Sequence, residues 1–245
     1  MLCYSLPVIK LGTLGGFTFH ADGIPSPGPH TQKARALMAC LAMNHGVDLA
    51  RERLVEMFWP DADSERARDS LKTALCSIRQ SLRAARVDPD EYLRASRSVV
   101  RWTVACVDVL EFEALALSDN IADAQQAMRL YRGDFLEGDY GNWAIAHRER
   151  LASLYESVLA RVIKTSRDPS VAQRFITRNP YHEEAYATII EAALAEQQRS
   201  SAISWVQRCR HALAEIGEQP SVAFEMRFGN IDAFARCALQ LAPAS

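Results

Sequence analysis

Hydrogen-bonding side chains recur on one side of a predicted helix in the N-terminal half of the chain. Thr73, Ser77 and Gln80 are spaced three or four residues apart, so they share one broad face of that helix. A glutamine amide can pair with adenine through two hydrogen bonds, and hydroxyl groups can contact several base edges. The pattern therefore predicts that these three side chains contact bases in the major groove of DNA.

Basic side chains flank this face and predict contacts with DNA phosphates, which set the register of a protein on the duplex. The candidates on this helix and at the tip of a following hairpin are Arg66, Arg68, Lys72, Arg79, Arg83 and Arg97. The alternative interpretation is a solvated helix flank with local ion pairs. Arg68 and Arg79 lie nearest to the apolar side of the helix, where they are also placed to run along the domain.

An apolar stripe on the same helix would anchor it to a core. Its members have helical spacing and are Ala67, Leu71, Leu75, Ile78 and Leu82. A helix of this kind presents its polar side outward, which suits a DNA groove and suits an ordinary surface helix equally well. The residues of this segment alone leave both interpretations open.

The surrounding segments predict a winged helix-turn-helix with an additional N-terminal sheet. Two short strands at 8–11 and 16–20 are followed by two helices at 32–45 and 51–58, a third helix that ends at residue 86, and a hairpin at 92–104. Asp61, Asp63 and Ser64 are the N-cap candidates for the third helix. The second helix ends at Trp59-Pro60 because proline cannot donate to the helix hydrogen-bond ladder. Asp22-Gly23 predicts a tight turn between strands.

Beyond residue 108 the pattern becomes helical, with predicted helices at 119–131, 142–166, 169–177, 182–198 and 200–216. The break at Asn179-Pro180 and the small residues after it resemble a degenerate tetratricopeptide unit. The predicted fold class is therefore mainly α with an α+β N-terminal part. A winged helix-turn-helix domain is expected at residues 1–107, followed by an all-helical, tetratricopeptide-like domain at 108–245.

Charge is distributed unevenly between these two parts. The net charge is −2 overall, but residues 1–107 contain 14 basic and 11 acidic side chains, whereas residues 108–245 contain 14 and 19. The modest positive charge therefore belongs to the N-terminal part, and it permits nucleic-acid binding there without identifying it. The sequence has no C-x-x-C pair, no signal peptide and no apolar run long enough for a membrane span, so a reduced cytoplasmic location without membrane contact is expected.

No residue pattern indicates catalysis, a metal or a cofactor. The six histidines lack metal-ligand spacing, no nucleophile-elbow motif is present, and the glycines of LGTLGGF match no phosphate-binding motif. The sequence therefore predicts that the protein is not an enzyme and uses no cofactor. Four aromatic residues surround the glycine-rich loop 133–141, either as core packing or as a ligand or partner-helix site: Tyr131, Phe135, Tyr140 and Trp143.

Several segments, taken in order, resemble the family of antibiotic regulatory activators, in which a response-regulator-type winged helix precedes a bacterial transcriptional activator domain. They cover residues 8 to 220 and are LGTLGGFTFHADG, KARALMACLAMNHG, RERLVEMFWPDADSERARDSLKTALCSIRQSL, YRGDFLEGDYGNW and NPYHEEAY. The resemblance implies a protein that binds double-stranded DNA at direct repeats near promoters and recruits RNA polymerase. It is compatible with a homodimer, and it names no small-molecule ligand.

The chain departs from this family on its third helix. The family often carries S-R-L-R-R at the stretch that reads Cys76-Ser77-Ile78-Arg79-Gln80 here, so Ser77 and Gln80 stand at two cationic positions. Asp69 also falls on the presumed groove face. Each lost phosphate contact lowers both the affinity for DNA and its dependence on salt. The alternative function is therefore a tetratricopeptide-like protein- or ligand-binding regulatory module whose winged helix has lost specific DNA binding.

Overall fold

The structure is a computed structural model that describes residues 8–104, 106–139 and 141–231. The described residues form seven strands, β1 Ile9–Gly12, β2 Thr18–Ala21, β3 Ile24–Pro25, β4 Asp48–Ala50, β5 Leu93–Ala95, β6 Val99–Trp102 and β7 Cys106–Val107. The helices of the first half are α1 Gln32–Met43, α2 Arg51–Phe58, α3 Ser64–Ala84, α4 Pro89–Tyr92 and α5 Asp108–Leu117. Those of the second half are α6 Ile121–Leu130, α7 Asn142–Ser166, α8 Pro169–Arg178, α9 Glu183–Ala195, α10 Arg199–Glu215 and α11 Val222–Phe228. This mainly helical fold with sheets confined to the N-terminal part confirms the predicted class.

The N-terminal strands form a four-stranded sheet in the order β3-β2-β1-β7. Strands β1 and β2 are antiparallel, and Asp22 and Gly23 connect β2 to β3 with φ angles of 49° and 78°, as a tight hairpin turn requires. Strand β7 pairs parallel to β1. The sequence did not predict β7 because two residues are too short to show an alternating pattern.

Helices α1 to α3 and a second sheet, β4-β6-β5, form the winged helix-turn-helix. The Asp63 carboxylate caps α3 by accepting a hydrogen bond of 2.9 Å from the backbone N–H of Arg66. The predicted stripe on α3 is buried, with each member no more than 3% exposed. Trp102 on β6 is fully buried as well, and its ring contacts that of Tyr92. The hairpin of β5 and β6 forms the wing, with Arg97 at its tip.

The chain divides into two compact units. The first consists of the described residues up to 119 together with those of 126–155, and the second of 120–125 together with those from 156 onward. The predicted domain boundary between residues 107 and 108 stays a prediction about domain architecture. The compact units divide elsewhere, because the first unit also contains α5 and the first part of α7.

A set of buried polar contacts, which we call the polar clamp, explains why the first unit extends past the winged helix. Its first half is the Asp108 carboxylate, only 9% exposed, at the start of α5. This carboxylate accepts hydrogen bonds from the backbone N–H of Thr13 at 2.7 Å, from the Thr13 hydroxyl at 2.6 Å and from the backbone N–H of Leu14 at 3.0 Å. Asp108 thus ties the end of β1 to a helix 95 residues later in the chain.

The second half of the polar clamp is the glycine-rich loop 132–139. Leu14 and Phe135 form an antiparallel bridge, and the backbone N–H of Leu136 donates to the Thr13 carbonyl at 2.8 Å. Arg148 on α7 donates to three carbonyl groups of the loop, those of residues 135, 136 and 139. Gly15 allows the close approach, since a Cβ atom there would lie 3.0 Å from the Arg132 backbone.

The aromatic residues around this loop belong to the core of the first unit. Phe135 is fully buried and its ring lies 5.5 Å from that of Trp143. Tyr131 stacks on Tyr155 with ring centroids 4.1 Å apart. The packing interpretation therefore agrees with the structure for these residues, whereas Tyr140 lies outside the described residues.

The second unit contains the start of α6, the second part of α7 and the helices α8 to α11, of which α8, α9 and α10 pack as helical hairpins. Ala202 on α10 is fully buried, which agrees with the expectation that small residues allow close helix approach, and Tyr186 on α9 contacts Trp205 on α10. Arg210 and Glu225 join α10 to α11 through paired hydrogen bonds of 2.8 and 2.7 Å. Helix α11 was not predicted. None of the helices in the described ranges combines the length and apolar character of a membrane span.

Candidate nucleic-acid interface

The outward side of α3 is the surface that the sequence analysis proposed for DNA. At roughly 100° per residue, Thr73, Cys76 and Gln80 lie within about 40° of the direction opposite the buried Ile78. All three are exposed. The face is continuous along the middle of the helix, because the apolar stripe holds the opposite side in the core. Helix α3 therefore has the amphipathic geometry of a helix that can enter a groove.

The three base-contact candidates are not equally available. Gln80 is exposed and makes no side-chain hydrogen bond within the described part of the chain. The Thr73 hydroxyl donates to the Asp69 carbonyl one turn earlier at 2.9 Å, which leaves its lone pairs facing outward. Ser77 is half-buried, and its hydroxyl accepts a hydrogen bond of 3.3 Å from the backbone N–H of His30. Thr73 and Gln80 are thus better placed than Ser77.

Most of the phosphate-contact candidates are exposed. The side chains of Arg68, Arg83 and Arg97 make no hydrogen bond or ion pair with any other described residue. Lys72 pairs with Asp69 at 2.8 Å and Arg66 pairs with Asp63 at 3.2 Å, with every one of these side chains more than half exposed. Exposed pairs of this kind contribute little free energy, so both cations can turn to another anion at small cost.

Arg79 differs from the other cations. Its guanidinium donates to the Asp90 carboxylate at 3.2 Å and to the Leu93 carbonyl at 3.1 Å, and its side chain is only 26% exposed. These partners lie on α4 and β5, so Arg79 runs along the domain, the second of the two placements that the sequence allowed. A phosphate contact from Arg79 would require it to leave both partners.

Two residues on the wing were missed in the sequence analysis. Arg94 on β5 and Arg101 on β6 are directly opposite each other in the antiparallel pair, and both are exposed. Like charges placed opposite each other destabilise a sheet. Arg101 offsets part of this repulsion through an exposed ion pair with Asp48 at 3.5 Å, whereas the Arg94 side chain has no acidic partner among the described residues. The alternating strand pattern could have predicted the exposure of Arg101, because Val100 and Trp102 on either side of it point inward.

Asp69 marks the centre of the candidate interface, directly opposite Ile78 on the helical wheel. Its carboxylate is 65% exposed and repels phosphate, but it can accept a hydrogen bond from the amino group of cytosine. In the described ranges, no three His, Cys, Asp or Glu side chains are grouped to hold a metal ion. The described side chains of this face offer hydrogen-bond donors and acceptors in the middle and cations at the borders.

Comparison with protein families identifies the helical part of the chain. The model of the bacterial transcriptional activator domain matches residues 107–227. This range runs from the last residue of β7 through α5 to α11. It therefore includes the glycine-rich loop and Arg148 of the polar clamp.

Two characterised mycobacterial proteins are similar over most of the chain. The transcriptional regulatory protein EmbR of Mycobacterium tuberculosis is 23% identical over 229 residues, covering 84% of this chain and 58% of EmbR. The transcriptional regulatory protein MoaR1 of the same organism is 24% identical over 237 residues, covering 87% of this chain and 76% of MoaR1. The chain thus spans less than two thirds of the length of EmbR.

A solved structure shares the fold. Mycobacterium tuberculosis EmbR in complex with a low affinity phosphopeptide matches 98% of this chain and 67% of that chain, with a TM-score of 0.65 and 20% sequence identity. At this level of identity the likeness concerns the arrangement of helices and strands. The winged helix and the helices that follow it are therefore found together, in this order, in a second protein.

Proposed function

We propose that this chain is a transcriptional activator of the antibiotic regulatory type that binds specific DNA sequences through α3 and the wing. The premise is the match of residues 107–227 to the bacterial transcriptional activator domain and the similarity of the chain to two transcriptional regulatory proteins. One observation carries the proposal: α3 is buried along one stripe and exposed along the opposite side, where Thr73 and Gln80 stand between flanking cations. Such a face offers base-edge hydrogen bonds in its middle and phosphate contacts at its borders.

The wing supplies the second part of the proposed interface. Arg97 at its tip and the opposed pair Arg94 and Arg101 form a basic strip beside the helix. In a winged helix bound to DNA, such a strip contacts the backbone next to the groove that the helix occupies. The proposal therefore includes these three arginines as phosphate contacts, together with the exposed cations of α3: Arg66, Arg68, Lys72 and Arg83.

Three finer parts of the proposal rest on the family resemblance. The protein binds direct repeats near promoters, recruits RNA polymerase and acts in the cytoplasm without a cofactor or enzymatic activity. Tandem binding brings two copies of the chain together on one duplex, which is compatible with a homodimer on DNA. These statements concern partners, and each is tested separately from DNA binding itself.

A salt titration tests the DNA-binding step. The full chain is titrated into a fluorescently labelled random-sequence duplex at several salt concentrations, and anisotropy gives the affinity. We expect binding at low salt that weakens steadily, because each phosphate contact releases counterions and adds about 0.9 to the slope of log K against log salt. Absence of binding at low salt, with an intact circular dichroism spectrum, would contradict the proposal.

Selection of duplexes from a random pool tests the base contacts. Thr73→Ala and Gln80→Ala should each change the preferred sequence at one position of the site, since a good base contact is worth about 1–3 kcal/mol of discrimination. Ser77→Ala is the matched control, because its hydroxyl already bonds to the His30 backbone. An unchanged preference in both test variants would show that α3 does not read bases through these residues.

The second candidate function is a helical protein- or ligand-binding module whose winged helix no longer binds DNA specifically. The engaged state of Arg79 and Ser77 and the central position of Asp69 favour it, because they remove contacts from the interface. The salt titration and the duplex selection together separate the two functions. Weak binding with a shallow salt slope and no preferred sequence in the pool would support the second.

A further inference from the structure

A cavity of about 510 Å³ lies where α2, the first half of α3 and the tip of the wing meet. Its walls include the apolar side chains of Val55, Trp59 and Leu71. Small-molecule sites in proteins typically measure roughly 300–1,000 Å³ and combine apolar walls with a few polar groups. The cavity is therefore of a size and composition that suit a compact organic ligand.

Cations outnumber acids around this cavity. Two acidic side chains line the cavity, Glu52 and Glu56, and four cationic ones: Arg51, Arg68, Lys72 and Arg97. Arg68 and Arg97 have no side-chain partner among the described residues, and Lys72 has only its exposed pair with Asp69. The excess positive charge is thus available to a ligand and favours a negative one.

One of these cations is fixed in place. The guanidinium Nε of Arg51 donates to the Ser96 carbonyl at 2.9 Å, and the Arg51 backbone N–H donates to the Ser98 carbonyl at 2.8 Å. These bonds hold the start of α2 against the tip of the wing, so the two elements that border the cavity keep their spacing. A cavity with a fixed border loses less entropy when a ligand enters than one that must first form.

We propose that this cavity binds a small organic anion with an apolar body, in which a carboxylate or sulfonate group meets the cations and the apolar part lies against Trp59. The ligand and DNA then compete, because Arg68, Lys72 and Arg97 also belong to the proposed phosphate contacts. The competition rests on the proposed function, whereas ligand binding does not. Binding of an anionic metabolite in the cavity then lowers the affinity of this transcriptional activator for DNA.

Two matched dyes test the ligand class. The full chain is titrated with 1-anilinonaphthalene-8-sulfonate and, separately, with N-phenyl-1-naphthylamine, which has the same rings without the sulfonate. We expect saturable binding of one sulfonate dye per chain, at least about tenfold tighter than the uncharged dye, as the loss of a charge-assisted contact predicts. Equal affinities for the two dyes would overturn the anionic character of the site.

Substitutions locate the dye. Arg68→Ala combined with Lys72→Ala should raise the dissociation constant of the sulfonate dye about tenfold, and Trp59→Ala should lower the fluorescence of the bound dye. Arg83→Ala is the matched control, because it removes a cation from the same helix outside the cavity. Met226→Ala controls for dye on exposed apolar surface, since Met226 is 81% exposed on α11. Equal weakening by Arg83→Ala, or none by the double variant, would place the dye elsewhere and overturn the site.

Random-sequence duplex DNA tests the competition. At low salt, adding duplex to the dye-bound protein should release the dye and lower its fluorescence. Simultaneous binding of dye and duplex would overturn the proposed competition. The dye titrations alone would then decide whether the cavity binds anions. A protein that binds no DNA at all contradicts the proposed function and the competition together, and the dye titrations still confirm or overturn the cavity as an anion site.

Discussion

Asp69 on α3 and Asp108 in the polar clamp are both aspartates beside hydrogen-bond donors, but they differ in exposure and in structural role. The Asp69 side chain is 65% exposed and its partner is the exposed ammonium group of Lys72. Asp108 is 9% exposed and accepts hydrogen bonds from the backbone N–H groups of Thr13 and Leu14 and from the Thr13 hydroxyl. Polar contacts that water can replace leave a surface free for a partner, whereas polar contacts that water cannot reach hold the fold together.

The largest effect is expected from breaking the clamp at Asp108. Asp108→Ala leaves two buried backbone N–H groups and a buried hydroxyl without an acceptor, so the free energy of unfolding should fall by about 3–5 kcal/mol. Asp69→Ala, the matched control on α3, should change it by no more than about 0.5 kcal/mol. Urea denaturation followed by circular dichroism measures both. Similar losses in the two variants would show that exposure does not separate the two regions.

Gly15 offers a second way to break the clamp. Gly15→Ala places a Cβ atom 3.0 Å from the Arg132 backbone at a φ of +86°, and should cost about 2–3 kcal/mol of unfolding free energy. Gly23→Ala has a similar φ of +78° with no atom within 4 Å, so it should cost only about 1 kcal/mol. The difference in thermal unfolding midpoint between the two variants isolates the crowding at the clamp from the backbone strain that they share.

Removing an exposed cation from α3 should lower the affinity for DNA and leave the free energy of unfolding unchanged. Arg83→Ala and Lys72→Ala should each weaken binding to any duplex several-fold at low salt and reduce the salt slope by about 0.9. Arg79→Ala should leave that slope nearly unchanged and reduce stability instead, because Arg79 is occupied by Asp90 and Leu93. Anisotropy titrations at four salt concentrations measure the slopes. A slope change for Arg79→Ala as large as for Arg83→Ala would contradict this division of roles.

The smallest predicted effect is the contribution of His147, on the clamp side, to the pH dependence of stability. Burial and, next, the guanidinium of Arg150 lower the pKa of His147 below its ordinary value of 6.5, so the folded state resists the proton that the unfolded chain accepts. Stability should therefore fall as the pH drops below 6.5, and His147→Gln should reduce that fall. Urea denaturation at pH 7.5 and 5.5 measures it, with the exposed His211→Gln as the control. Some dependence should remain, because burial also lowers the pKa of His182.

The fate of individual predictions shows which forces a single sequence can reveal. The stripe on α3 was predicted because every member lies within one helix, where burial imposes a local period. Helix α7 was predicted with the bounds that the structure has, 142–166, because loop residues precede it and Asp168-Pro169 follows it. The pairing of β7 with β1 and the acceptor role of Asp108 were not predicted, because their partners lie about a hundred residues away and leave no local pattern.

The candidate site shows the same division between local and distant information. The outward direction of Thr73 and Gln80 follows from helix geometry alone and agrees with their exposure. The occupied state of Ser77 does not, because its partner His30 belongs to a loop 47 residues earlier. The engagement of Arg79 depends on where α4 returns to the domain, which the sequence does not reveal either.

The long separation between β1 and the residues that complete its environment has a consequence for synthesis on the ribosome. Strand β1 meets β7 and Asp108 only after nearly a hundred further residues have been made, and the loop held by Arg148 arrives later still. Until then, the nascent chain carries a strand edge without its final neighbour, and such edges favour pairing between chains. Contacts of high sequence separation also form slowly. A slow stretch of translation some tens of codons beyond codon 155, after the exit tunnel has released Tyr155, would give the first unit time to close, so the rate of translation there should influence how much native protein a cell obtains.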